Sequence, residues 1–366
     1  MSRIGFVKLL AVLLLTIGSS ELWASVSFAY VGTCRPGSFP TITAALASTP
    51  HPNVVKICPG TYPEQVHVTY AVTLQGMISG NSGEVIIASP PNGLVVNGTD
   101  DLGDSICADV FVDVLPAPFT ISDITLDAAN NHVLAPNYVA GIFVKNSSGT
   151  VNHVATRNQM GGDGGVGIWI EGGTSNPTVT VENSSISAFD FIGIWTQTNA
   201  AASELTALLK NNDENGGLSG GVIAGFDIFR GQGATTTVSG NYLVGGMIGV
   251  ITEVDPGPIQ HNTLVNNGIG IVVNSDQVSV TANNIFMCST EGISVNSALP
   301  VVQGNTITGC PIGIEFNGFA DGSAHGNTIM DGAVGLDGVP AGFTVSNSYY
   351  NVGTIMAGVG GGVVRK

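Results

Sequence analysis

Nine segments of the chain repeat an apolar–glycine–apolar pattern: AGIFVK (140–145), VGIWIE (166–171), IGIWTQ (192–197), GGVIAG (220–225), IGVITE (248–253), IGIVVN (269–274), EGISVN (291–296), IGIEFN (312–317) and VGLDGV (334–339). The glycines at 141, 167, 193, 221, 249, 270, 292, 313 and 335 are spaced 26, 26, 28, 28, 21, 22, 21 and 22 residues apart. A second landmark runs with the later units, where Asn241, Asn262, Asn283, Asn305 and Asn327 recur at intervals of 21, 21, 22 and 22. A fixed period of this size marks a solenoid in which each repeat is one supersecondary unit stacked on the next. Leucine-rich repeats share the period, but they need a leucine frame and usually a helix in each unit. Here the frame is Ile, Val and Gly, and no unit holds a helix-length 3.6-residue periodicity. Short β-runs broken by Gly and Asn predict an all-β parallel β-helix, with about three short strands in each coil.

Strand alternation assigns the faces. The residue after each glycine, from Ile142, Ile168 and Ile194 through Val222, Val250, Ile271, Ile293, Ile314 and Leu336, is expected to point inward. Val144, Ile170, Thr196, Ala224, Thr252, Val273, Val295 and Phe316, two residues further on, follow it. Asn274, Asn296 and Asn317 end the regular coils. They are expected to take the left-handed conformation of a sharp turn and to hydrogen-bond from coil to coil, which makes them structural.

The column two residues after each glycine should face solvent. It begins Phe143, Trp169, Trp195, continues Ile223, Ile251, Val272, and only then becomes Ser294, Glu315, Asp337. Three aromatic side chains on adjacent strands make a flat apolar strip, a natural platform for stacking a sugar ring. The coils that carry it are also the lengthened ones. Their extra residues either cover the strip or wall a groove with the strip as its floor, and the sequence leaves both open. Lys145, Glu171, Gln197 and Glu253 stand beside the strip, and Asp163, Asp190 and Arg157 are expected on its rim.

Both ends of the chain add information. Arg3 and Lys8, an apolar run over 9–17 and small residues beyond predict a secretory signal peptide over 1–29, cleaved after Ala29 with Ala24 as second choice. No later segment is long and apolar enough to span a membrane. A secreted or periplasmic protein is expected, with 30–366 forming one β-helix domain. Without residues 1–29 the chain has 25 acidic and 8 basic residues, a net charge of −17. That acidity disfavours nucleic acid and anionic membranes as partners, and it disfavours acidic polysaccharides unless a cation bridges. Near the start, 41–48 (TITAALAS) reads as a short amphipathic helix closing the N-terminal end. Cys34 and Cys58 flank it, and a bridge between them would contribute about 3 kcal/mol. Cys288 and Cys310 take equivalent places in successive coils, where a bridge or a buried thiol ladder fits equally well. Cys107 completes an odd count of five.

The segment over 39–76, FPTITAALASTPHPNVVKICPGTYPEQVHVTYAVTLQG, resembles the opening of right-handed parallel β-helices of the pectin lyase-like superfamily. It is similar to pectin methylesterases and to right-handed β-helix repeat proteins that include the periplasmic NosD-like group. The resemblance implies the fold and no reaction. The esterase glutamine-aspartate and Arg-Pro-Trp motifs are absent. FDFIGIW around Asp190 is better explained by the repeat's own apolar–glycine–apolar unit. Polygalacturonase signatures are missing too. The acidic run Asp100, Asp101, Asp104, Asp109 and Asp113 has no calcium-loop motif and no evident base, and reads as a solvated insertion. His153, His261 and His325 lie in different coils, so neither a metal centre nor a cofactor is expected. The sequence thus points to a binder of extracellular polysaccharide on the Phe143, Trp169, Trp195 strip, with no assignable catalytic residues. Two alternatives stand beside it: a polysaccharide lyase, hydrolase or esterase, and a purely structural or surface-interaction solenoid.

Overall fold

The computed structural model of the chain describes residues 27–78, 83–113, 115–198, 204–217, 224–229, 234–253, 257–297, 299–317, 322–341 and 343–358. Each coil visits three ladders of parallel strands in turn. In one coil, Gly149–Asn152 lies on the first ladder, Ala155–Arg157 on the second and Gly162–Glu171 on the third. The next coil repeats the order with Thr178–Glu182, Ser185–Ser187 and Ile192–Gln197, each paired in register with its predecessor. The first two ladders join in a 23-stranded sheet, and the third forms most of a 13-stranded one. Among the described residues two short pairings depart from the parallel rule: Gly98–Thr99 runs antiparallel to Ser105–Ile106, and Gly173 and Glu204 form an isolated antiparallel bridge.

The inward columns form one continuous core. Ile142, Ile168, Ile194, Val250, Ile271, Ile293, Ile314 and Leu336 are all fully buried. The glycine column has a steric cause. A Cβ on Gly167 would come within 2.5 Å of the Gly193 carbonyl oxygen, and one on Gly249 within 2.6 Å of the Gly270 oxygen. At this bend the backbones of successive coils approach too closely for any side chain.

Two expectations about register need correction. In the fourth unit, Gly225 and not Gly221 continues the glycine column. Ile194 pairs with Phe226 and Trp195 with Asp227, and a Cβ on Gly193 would lie 2.5 Å from the Gly225 oxygen. Gly221, Val222 and Ile223 lie outside the described residues. The apolar–glycine match at Gly221 thus stands four residues ahead of the column in the sequence. The second correction concerns asparagine. Asn274, Asn296 and Asn317 do not have positive φ. Coil-to-coil bonds do form as expected, Asn274 Nδ2 donating to Glu253 Oε1 at 3.2 Å and Asn296 Nδ2 to Asn274 Oδ1 at 2.8 Å, but these three residues do not make a continuous buried ladder. The coil-to-coil ladder is formed instead by Asn212, Asn241, Asn262, Asn283, Asn305, Asn327 and Asn347. Each Oδ1 from Asn241 onward accepts from the backbone N–H and the Nδ2 of the asparagine one coil earlier, at 2.8–3.0 Å. The left-handed residue is the one before, at Asn211, Gly240, His261, Ala282, Gly304 and Gly326. The sharp corner lies between the first two ladders, where two residues join the strands in each regular coil.

At the N-terminal end, Ile42–Leu46 is a short helix whose Ile42, Ala45 and Leu46 enter the core. Glu64 fixes its start: Oε1 accepts from Ile42 N at 2.8 Å, and Oε2 from Thr43 N at 2.9 Å and the Thr43 hydroxyl at 2.6 Å. Tyr62 donates its hydroxyl to the Cys58 carbonyl at 2.7 Å. The PGTYPE turn therefore ties the helix to the first coil through backbone N–H groups that a helix start leaves unpaired. Cys34–Cys58 and Cys288–Cys310 are both disulfide-bonded, with Cα atoms 5.7 and 4.5 Å apart, and Cys107 is free and buried.

The asparagine ladder yields a first prediction. In Asn283→Ala, the buried Asn262 amide, the Ile259 carbonyl and Asn305 Oδ1 all lose a partner. Chemical denaturation should show a loss on the order of 3 kcal/mol, against less than about 1 kcal/mol for the surface change Asn296→Ala.

Candidate functional site

The aromatic column of the third ladder is longer than the repeat pattern suggests. Strand register carries it from Trp195 through Trp169, Phe143 and Phe111 to His67. Rings stack along it: His67 on Phe111 at 4.9 Å, Phe111 on Phe143 at 5.2 Å, and Trp169 on Trp195 at 4.2 Å, with Phe143 meeting Trp169 edge-on at 5.6 Å. Sequence reading missed Phe111 and His67 because their coils lack the glycine used for alignment. Asp109 stands opposite Gly141, between the pairs Ala108–Ala140 and Val110–Ile142.

The strip is not an open platform. Phe143 and Trp169 are fully buried and Trp195 is only 8% exposed. Together with Ile106, Ala108, Phe111, Ala140, Val166 and Ile192 they form a second apolar cluster outside the solenoid core. Tyr138 closes it on one side, edge-on to Trp169 at 5.5 Å, and Phe191 packs edge-on against Trp195 at 5.6 Å. The roof is the segment 95–104. Gln65 brackets Val95, donating to its carbonyl and accepting from its N–H, both at 2.9 Å. Asn97 exchanges two hydrogen bonds with the Ala108 backbone. Gly98 lies flat on the ladder, since a Cβ there would come within 2.9 Å of the Phe143 ring.

The polar column beside the aromatics fastens the far end of this roof. Lys145 Nζ donates to the Thr99 carbonyl at 2.7 Å and lies 3.0 Å from Asp101 and 3.7 Å from Glu171. Glu171 Oε1 accepts from Asp101 N at 2.8 Å, and Gln197 Nε2 donates to Asp100 Oδ2 at 3.3 Å. Asp100 also accepts from Leu102 N and Asp104 N, which shapes the turn. The acidic run is thus no simple solvated insertion, because Asp100 and Asp109 are buried.

The remaining expected site residues disperse. Asp190 is a loop clamp, accepting from Gly161 N at 2.8 Å and Gly165 N at 2.6 Å. Asp163 is exposed; burial first, and then the neighbouring carboxylates, Asp163 among them, push the pKa values of Asp104 and Tyr138 up. Arg157 is not on the rim. Its strand belongs to the second ladder, where Nε donates to Asp127 Oδ2 at 2.8 Å and the guanidinium lies 3.7 Å from Glu84. One part of the column does reach solvent. A shallow depression of about 410 Å³ is lined by 96–99 of the roof, Phe111, Asp113 and Lys145. His67 stands at its edge with Nε2 3.7 Å from Asp113 Oδ2, and both side chains are partly exposed.

Burial shapes the titration of two carboxyls. Glu171 is pushed up to about 7 by desolvation, against the opposing pull of the Asp101 N–H and Lys145. Asp109 is pushed up to about 8 by desolvation, with Gln159 as its hydrogen-bond partner at 3.4 Å. Among the described residues, no group of three His, Cys, Asp or Glu side chains is arranged to hold a metal ion.

Asp109 gives the pH dependence a definite sign. Folded chains keep its proton up to about pH 8, whereas unfolded chains release it in the ordinary carboxylate range. Its contribution is whole below that range and is lost as pH rises through about 8. Calorimetry across this window should show melting temperature falling with pH, with at most about 1.4 kcal/mol per pH unit due to this group. Asp109→Asn, which keeps the shape of the protonated acid, should flatten the slope. A variant curve parallel to the wild-type curve would contradict the assignment.

Residues 201–355 match the family model described as periplasmic copper-binding protein (NosD). No curated protein matches the chain. Among solved structures, the catalytic domain of a GH87 alpha-1,3-glucanase in complex with tetrasaccharides superposes with a TM-score of 0.59 at 12% identity, covering 90% of this chain. The chain spans 66% of that domain's length, just under two thirds. The same catalytic domain in complex with nigerose gives 0.54 at 12% identity, with the same coverage of 90% and 66%. The periplasmic alginate epimerase AlgG overlays more loosely, at 0.49 and 14% identity, covering 83% of this chain and 77% of its own. Coils wound through three parallel ladders, matched over nine tenths of the chain, make this protein a right-handed parallel β-helix repeat protein.

Proposed function

We propose that the protein is an exported carbohydrate-binding solenoid that takes its ligand at the open end of the roofed aromatic column. The observation that carries this reading is the depression beside the roof. It joins the ring of Phe111 to the Lys145 ammonium, the Asp113 carboxylate and, at its edge, the half-exposed His67 imidazole. Phe111 is buried with His67 and Phe143 stacked on its two faces, so the ring open to a ligand is that of His67. A half-exposed ring with hydrogen-bonding groups at its margin suits a sugar, which has one apolar face and an equator of hydroxyls. Trp169 and Trp195 serve as a rigid backing and do not touch the ligand. That solved β-helices with similar winding are seen with bound oligosaccharides supports the class of ligand. A two-carboxylate hydrolase needs a second acid across the scissile bond, and the lining of this depression offers Asp113 alone. The binder is therefore preferred to the enzyme.

The copper in the family description is not carried over. Within 201–355 no set of described residues fits a metal centre, and Cys288 and Cys310 are bonded to each other. Export is supported by the leader-like first residues and by two disulfides, which persist in oxidising compartments. No helix among the described residues is long and apolar enough to cross a membrane. We place the cleavage after Ala24. The first strand, Phe28–Val31, pairs with Val54–Ile57 and buries Ala29, so cutting after Ala29 would halve it. We read the helix Ile42–Leu46 as the closure of the N-terminal end, which its apolar contacts support.

Two measurements test this reading. On a glycan array followed by calorimetric titration, His67→Ala and Asp113→Ala should each weaken binding about tenfold, or about 1.4 kcal/mol. Unchanged affinity in both, or depolymerisation that Asp113→Asn abolishes, would refute the binder. N-terminal sequencing of the exported chain should begin at Ser25.

A further inference from the structure

The second ladder changes character where the coils become regular. Upstream its outward positions include the charged Asp127, Arg157 and Asp213. From the strand Tyr242–Gly245 onward, two outward columns run in register through six coils. One is Tyr242, Thr263, Asn284, Thr306, Thr328 and Ser348; the other is Val244, Val265, Phe286, Thr308, Met330 and Tyr350. None of these twelve residues is charged, on a chain whose formal net charge is −16. Tyr242 is 45% exposed and Tyr350 58%, and Met287 adds an exposed apolar side chain (57%) at the corner. Asp331, which follows Met330 on this ladder, is engaged by Asn351 Nδ2 at 2.8 Å.

We propose that this strip is a second binding surface, for an uncharged glycan chain lying along the solenoid axis. Shape and charge both argue for that occupant. Six strands about 4.8 Å apart give a length of roughly 24 Å, and two columns two residues apart give a width of about 7 Å. A stable protein dimer needs about 800 Å² from each partner, and so narrow a strip falls far short of it. An added β-strand is excluded because the backbone groups of this face already pair between coils. A polyanion would meet the field of an acidic protein with no cation on the strip to offset it. An extended neutral glycan fits: Tyr242, Phe286 and Tyr350 offer ring faces, and the Thr and Asn column beside them offers hydroxyl and amide partners at every coil. This surface is independent of the depression on the third ladder.

The test is affinity electrophoresis of the full mature chain in gels containing hydroxyethyl cellulose, dextran or polygalacturonate. The wild type should be retarded by a neutral glucan and not by polygalacturonate. Tyr242→Ala and Tyr350→Ala should each reduce the retardation several-fold, and the triple variant with Phe286→Ala at least tenfold, in a His67→Ala background as well as in the wild type. Tyr350 is exposed at the last coils, so its single variant reads the strip without disturbing the core. The proposal is overturned by loss of retardation in His67→Ala alone, which would leave only the depression as a site. It is also overturned by retardation unchanged in the tyrosine variants, by no retardation in either neutral glucan, or by a concentration-dependent dimer that Tyr350→Asp disperses.

Discussion

Stacking in register from coil to coil constrains everything else in this protein. Each strand bonds only to strands of the coils before and after it, so every backbone group on a ladder finds its partner about 4.8 Å away along one axis. The sharp corner between the first two ladders is where that pairing would fail, and there the asparagine ladder takes over. One Oδ1 receives two N–H donors from the preceding coil, and the same residue's Nδ2 reaches a carbonyl further back, as Asn262 does with Val238. The ladder runs from Asn212 to Asn347 without a gap. Buried polar groups are costly unless satisfied, and here satisfaction depends on identical spacing in every coil. The side chain thus enforces the period that the sequence shows.

A solenoid with fixed pitch leaves its outer columns to find their own surroundings. On the third ladder the aromatic column cannot enter the core, and an exposed stack of that size would be a large apolar patch. The segment 95–104 resolves this by folding back as a roof, held at one end by Gln65 and Asn97 and at the other by Lys145, Glu171 and Gln197. Groups that looked suited to an outside ligand instead hold the chain's own backbone. What remains open is the margin at Phe111, Asp113 and His67. On the second ladder the outward columns of the later coils stay uncovered and uncharged. The two surfaces differ because only the early coils have insertions long enough to fold over a face.

Much of this was legible in the sequence, within a clear limit. The inward columns could be named residue by residue, since alternation and period are local properties, and the misplaced unit was the one at 220–225, where Phe226 and Ile228 take the positions expected for Val222 and Ala224. The helix near residue 42 and the coil-spanning asparagines at 241–327 were visible for the same reason. What covers the tryptophans was not, because the roof lies about 70 residues upstream of Trp169 and its contacts with Glu171 and Gln197 follow no periodicity. Arg157 was misassigned because a residue after a strand's end and a residue on a neighbouring ladder look alike without knowing where the turn falls. His67 and Phe111 carried a findable signal: VHV and VFV repeat the apolar–aromatic–apolar triplet of the later coils without its glycine.

That missing glycine also explains how the two halves differ. In the later coils the bend is filled by methyl groups from the second ladder: Ile285, Ile307 and Ile329 side chains pack against the positions of Gly270, Gly292 and Gly313. In the early coils the same inner corner is mixed: Ile186 still packs against Gly167, but polar groups stand around it. Asp109 replaces the glycine, Gln159 faces it, and Thr156 packs against Gly141. Glu214, buried and with its pKa raised well above the ordinary value by desolvation, faces Gly193 and Gly225 one step further along. Coils of 26 residues and more, with loops that fold over an outer face, occur on that side of the boundary. Coils of 21 and 22 residues, with short corners and bare faces, occur on the other. The stretch matched by the family model, from 201 to 355, covers the regular coils. The lengthened coils at 141–193 and the roofed site lie outside it. The repeat therefore accounts for the winding, and the departures from it account for the roof.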